Sequence, residues 1–160
     1  SAVVGLKFDS DAGLPDNYGV LIAADKPGVH AKAFTFSSKK WPHLKARMGD
    51  GALIRASFGR FGDDALAREE EDTLVDYALD DLLTITGFDA RDAGVSENYT
   101  HRWFGGLQRF DDNHLATVAT VREKIAAQPG LEVTGAWAGG VGVPAVIADA
   151  RAAAQRILGS

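Results

Sequence analysis

The opening residues alternate strictly. Ala2, Val4, Leu6 and Phe8 fall on one side of an extended chain, and Val3, Gly5 and Lys7 on the other. A period of two is the signature of a half-buried strand. Ala52, Ile54, Ala56 and Phe58 repeat it, on one face of a strand from Ala52 to Phe58. Two further strands are expected between them. One runs from Tyr18 to Ala24, after the turn cluster at residues 11–17, and is ended by Asp25-Lys26-Pro27-Gly28; the other runs from about His30 to Phe36. Ser37-Ser38-Lys39-Lys40-Trp41-Pro42 then reads as a surface turn, followed by a polar link to Asp50-Gly51.

The periodicity changes after residue 62. Leu74, Val75, Ala78, Leu79, Leu82 and Leu83 recur at helical spacing behind an acidic entry (Asp63, Asp64, Glu69, Glu70, Glu71, Asp72), with Gly87 placed to stop the helix. Val95, Tyr99 and Trp103 share a parity and predict a fifth strand. Asp111 or Asp112 can cap a helix carrying Leu115, Val118, Ala119, Ile125 and Ala126, which ends at Gln128-Pro129-Gly130. A short strand at Leu131–Thr134, a glycine-rich stretch over 135–142 and a last helix opened by Pro144 complete the chain. The expected class is α+β: a mostly antiparallel sheet of about five strands with an inserted helix, then a helix–strand–helix tail.

Composition narrows the chemistry. The 160 residues carry 17 Lys and Arg against 22 Asp and Glu, a net charge of −5, which argues against nucleic acid as a partner. With 0 cysteines, a zinc ribbon, an iron–sulfur site and a thiol nucleophile are excluded. His30, His43, His101 and His114 lack the spacing of a metal site. There is no G-x-S-x-G elbow. The acids at 63–72 read as a solvated helix entry rather than a cation site. Ser38-Lys39-Lys40-Trp41 could meet an anion, but reads locally as a turn with an anchored Trp. Gly140-Val141-Gly142-Val143-Pro144-Ala145 matches G-x-G-x-x-A, whose glycines let a backbone approach a pyrophosphate at a helix N-terminus. A full dinucleotide unit also needs a second strand and an acidic residue about 20 positions on, and no such continuation follows before residue 160. A tight turn with close helix packing is the competing account of those glycines.

Four stretches, in order, resemble the C-terminal part of bacterial FAD-dependent protoporphyrinogen/coproporphyrinogen oxidases, within the flavin amine oxidase superfamily. Asn17-Tyr18-Gly19-Val20-Leu21-Ile22-Ala23 resembles that family's Gly-Phe-Leu-Val-Pro strand, with Ala23 for the usual Pro. Ala33-Phe34-Thr35-Phe36-Ser37-Ser38-Lys39-Lys40-Trp41-Pro42 is the most diagnostic. Arg102-Trp103 through His114 keeps the family's frame, with Gln108, Arg109 and Phe110 where Pro-Gln-Tyr is usual and Asn113 where Gly is. Gly135-Ala136 with Gly140–Pro144 resembles its flavin-contacting loop.

The resemblance implies a larger enzyme in heme biosynthesis that oxidises a coproporphyrinogen or protoporphyrinogen through FAD, with oxygen reoxidising the flavin. It assigns residues 1–109 to part of a substrate domain and 110–160 to a segment returning to the FAD domain, whose N-terminal Rossmann part is absent here. Leu21 and Phe58 fall where the family places apolar walls, and Lys32 where a substrate carboxylate could be met; the bland alternatives are core packing for Phe58 and a solvent face for Lys32. Gly140, Val141, Gly142, Val143 and Pro144 would meet the flavin. No residue of this chain is assigned a catalytic or metal-ligating role. The implied setting is cytoplasmic, with peripheral membrane contact left open. The chain alone is expected to bind FAD poorly, to be inactive, and to expose a docking face through which it could self-associate. The competing functions are another flavin amine oxidase-type oxidoreductase, or a free-standing porphyrin- or protein-binding module.

Overall fold

The computed structural model describes residues 1–60, 62, 65–106 and 110–159. Asp63 and Asp64 of the acidic entry, Gln108 and Arg109 of the third family stretch, and the expected boundary at 109 lie outside them. The chain forms two compact units, Ser1–Phe104 and Gly105–Ser160.

The first unit is built on a five-stranded antiparallel sheet: β1 (Ala2–Phe8), β2 (Gly19–Leu21), β3 (Ala33–Phe36), β4 (Ala52–Phe58) and β5 (Val95–Arg102), in the order β2-β3-β4-β1-β5. The alternation in β1 and β4 is realised: Ala2, Val4, Leu6 and Phe8 join Ala52, Ile54, Ala56 and Phe58 in one buried layer with Phe34 and Phe36. Helix α3 (Glu71–Thr86) covers that layer with Leu74, Ala78, Leu79 and Leu82, and Phe8 meets Phe88 edge-on. Leu83, grouped with them by spacing, is exposed. Gly87 ends α3 as expected, in the left-handed conformation at φ +75°, with its N–H donating to the Leu83 carbonyl.

Two differences follow from short-range geometry. Strands β2 and β3 are shorter than their apolar runs, because residues 22–32 bend through Pro27-Gly28. The 37–50 link is helical: α1 (Ser37–Lys40) and α2 (Pro42–Met48), with Pro42 at the start of α2 where its missing N–H leaves nothing unsatisfied. Ser37 and Ser38 are buried, and Ser38 Oγ accepts the Leu53 N–H at 3.1 Å. The segment read as a surface turn is therefore a brace on β4.

The second unit contains α4 (His114–Ala126), α5 (Ala136–Gly139) and α6 (Val143–Leu158). Asn113, not Asp111 or Asp112, is the residue before α4; Asp111 instead accepts the Asn113 N–H through its side chain and the His114 N–H through its carbonyl. Residues 131–134 form no strand, because a strand exists only by pairing and among its described residues this unit has no sheet. Asp149 of α6 ties the unit together, accepting from Thr134 Oγ1 at 2.8 Å and the Gly135 N–H at 3.3 Å and pairing with Arg122 of α4.

Candidate functional site

Helix α3 covers only one side of the sheet. By alternation the other side carries three rows of residues. The first is Leu21–Ala33–Ser57–Val3–His101, the second Gly19–Thr35–Arg55–Gly5–Tyr99 and the third Leu53–Lys7–Glu97. Small residues dominate the middle. A Cβ placed on Gly5 would meet only the Tyr99 carbonyl at 3.6 Å, so the space above it is open. The result is a cavity of about 450 Å³ lined by Gly5, Lys7, Met48, Leu53, Arg55, Glu97 and Tyr99.

The rim is aromatic and cationic. Tyr99, His101 and Trp103 follow one another along the β5 edge, with ring centroids 6.3 Å and 4.5 Å apart. Lys7 Nζ donates to Glu97 Oε1 at 2.5 Å, and this bond together with the Glu97 charge raises the Lys7 pKa, keeping it protonated. Leu21 stands 90% exposed on the β2 edge beside a second hollow, of about 230 Å³, that Tyr18, Thr35 and Lys40 also line.

The other two expected substrate residues are placed elsewhere. Phe58 lies on the covered face, 0% exposed, in the core cluster beneath α3. Lys32 donates to the Gly59 carbonyl at 2.8 Å and to Ser1 Oγ at 3.1 Å, and burial with the nearby Arg60 charge lowers its pKa. It fastens the ends of β3 and β4 rather than standing free on either face. Arg102 is likewise structural: it donates to the Ala67 and Glu69 carbonyls and pairs with Glu71. Sequence reasoning did not single out Arg55. Its signal was the Val3-Gly5-Lys7 parity, which defines the open face as surely as its opposite defines the core.

The Gly140–Pro144 segment precedes and opens α6. Gly140 has φ +113°, a conformation closed to most side chains, and Val141, Gly142, Val143 and Pro144 are exposed. No side chain caps α6. Pro144 brings no N–H and the Val146 N–H donates to the Gly142 carbonyl at 3.0 Å, which leaves the first-turn N–H groups of Val143 and Ala145 for an anion; a Cβ at Gly142 would meet nothing closer than Pro144 Cδ at 3.9 Å. These features fit a phosphate-bearing cofactor. Among the described residues no group of three or more His, Asp or Glu could hold a metal ion, and no helix is long and apolar enough to cross a membrane.

No family model matches the chain. Its fold is similar to that of a solved structure from Exiguobacterium sp. 255-15 described as a putative protoporphyrinogen oxidase, with a TM-score of 0.80 at 28% identity, over 99% of this chain and 34% of that one. Proteins named coproporphyrinogen III oxidase are more similar in sequence. That of Mycobacterium tuberculosis H37Rv is 37% identical over 158 residues and that of Mycobacterium leprae 35% over 157. These matches cover 99% and 98% of this chain but 33% of each relative, so the chain spans about a third of the length of the proteins it resembles.

Proposed function

We propose that this chain is the substrate-walling and C-terminal part of an FAD-dependent porphyrinogen oxidase acting in heme biosynthesis. The observation that carries the reading is the 37% identity over 158 residues to proteins named coproporphyrinogen III oxidase. In this reading the first unit belongs to the substrate domain and the second returns to the FAD domain, in a cytoplasmic enzyme completed by an N-terminal Rossmann segment.

The residues divide the work by chemistry. A porphyrinogen is a broad, largely apolar macrocycle edged by carboxylates, and it needs flat apolar walls with cations at the rim. Val3, Gly5, Ala33 and Leu21 supply the wall on the open face, and Tyr99, His101 and Trp103 supply flat rings at its edge. Phe58 supports that wall from beneath by filling the core under β4. Lys32 holds the strand ends in register. In the second unit, Gly140, Val141, Gly142, Val143 and Pro144 present backbone at the start of α6 to the flavin's diphosphate. When bound, FAD supplies the acceptor for the hydride equivalents that leave the macrocycle. Because the chain carries only the tail of such a site, it is inactive alone.

The test is turnover by the full-length enzyme. It should convert coproporphyrinogen or protoporphyrinogen to the fluorescent porphyrin, with one peroxide formed per hydride equivalent removed. Turnover of simple amines with no porphyrinogen oxidised would overturn the assignment in favour of an amine oxidase.

A further inference from the structure

Arg55 is the cation on the open face with no assigned task. Lys7 is occupied by Glu97, whereas Arg55 is exposed and has no hydrogen-bond or ion-pair partner among the described residues. It sits mid-sheet, between Thr35 on β3 and Gly5 on β1. An acid directly across the sheet would stabilise a solvent-facing arginine at a strand's centre. Here its β1 neighbour is a glycine, which leaves the space beside the guanidinium open. The one acid lining the cavity, Glu97, is committed to Lys7 at 2.5 Å. A guanidinium is a planar fork of donors suited to a carboxylate.

Resting on the porphyrinogen-oxidase reading, we infer that Arg55 anchors a carboxylate side chain of the tetrapyrrole. The macrocycle lies over the Gly5 trough against Tyr99, and one propionate reaches the guanidinium. This makes Arg55 a binding and specificity residue, not a catalytic one. It favours a substrate whose carboxylates are spread around the ring, because one of them then meets the centre of the sheet while others remain at the rim.

The experiment compares the full-length enzyme with its Arg55→Gln and Arg55→Lys variants, and with Lys26→Gln as a remote charge control. Fluorescence titration measures binding of coproporphyrin and of its uncharged tetramethyl ester; steady-state kinetics measure KM and kcat for coproporphyrinogen. Arg55→Gln should weaken coproporphyrin binding about tenfold, the order expected for a charged hydrogen bond, and raise KM with kcat within about twofold. Ester binding should not change, Arg55→Lys should retain part of the affinity, and Lys26→Gln should match wild type. Coproporphyrin binding by Arg55→Gln within about twofold of wild type, equal losses for acid and ester, or no coproporphyrin binding by wild type would each overturn the proposal. Arg55-dependent binding in an enzyme that oxidises no porphyrinogen would support the anchor while refuting the reaction.

Discussion

Replacing Asp81 tests how this sheet is held at its β3 end. Asp81 is a buried carboxylate on α3 whose Oδ2 accepts two backbone N–H groups, from His30 at 2.8 Å and Ala31 at 2.7 Å. The other oxygen, Oδ1, lies 3.5 Å from His30 Nδ1, and the His30 ring stacks on Tyr77 with centroids 3.7 Å apart. Asp81→Ala removes both acceptor bonds and leaves two N–H groups shielded from water. At roughly 1.5–3 kcal/mol for each bond to a charged group, with partial relaxation, the loss is about 3–5 kcal/mol. That is a large share of the roughly 5–15 kcal/mol that stabilises a typical domain. Asp81→Asn should behave differently. Both bonds converge on one oxygen, and a carboxamide oxygen has two lone pairs with which to accept them. The new NH₂ then replaces Oδ1 near His30 Nδ1, which has no hydrogen-bond partner. The loss for Asn should be about 1 kcal/mol. Urea unfolding followed by far-UV circular dichroism measures both. An alanine variant within about 1 kcal/mol of wild type, or alanine and asparagine variants of equal stability, would refute the reasoning.

Two other outcomes follow from the same kind of accounting. Gly5→Val should fold, since its Cβ has room, but should fill the trough beside Arg55 and weaken porphyrin binding by the full-length enzyme about tenfold or more; unchanged affinity would show that the macrocycle does not use this face. In the second unit, Asp149 is held below its ordinary value of 3.8 by the Thr134 hydroxyl first, then by the Gly135 N–H and Arg122. Its stabilisation is therefore fully present above that value and is lost as pH falls through the lower folded one; acid unfolding of α4–α6 should steepen below about pH 4, and Asp149→Asn should flatten it.

Much of the fold was legible because burial writes itself into periodicity. The parity of Ala2–Phe8 and Ala52–Phe58, the Leu74–Leu82 stripe and the stop at Gly87 all reflect one side of an element meeting a core. Helices α1 and α2 escaped because Ser37-Ser38-Lys39-Lys40 buries two hydroxyls rather than an apolar stripe, and their role depends on a bond to Leu53 that local sequence does not show. Leu131–Thr134 had strand-like residues and no strand to pair with. At the site, parity put Phe58 on the apolar face with Ala52, Ile54 and Ala56, and the structure covers that face with α3, where Phe58 packs as core. Arg55 was harder to read, because what distinguishes it is the neighbours it lacks across the sheet, and those depend on strand register.

The row through Gly19 and Gly5 has one more consequence. Around Gly5 the cavity floor is main chain, held by hydrogen bonds to both neighbouring strands. Main chain in a ladder has no rotamers to freeze when a ligand arrives, whereas an immobilised flexible side chain forfeits about 0.5–1.5 kcal/mol of freedom. A ligand bound over this surface would meet a preorganised floor. Its shape should be nearly the same empty and filled, and discrimination among rings should come from rigid outline, with adaptation left to the few long side chains at the margin.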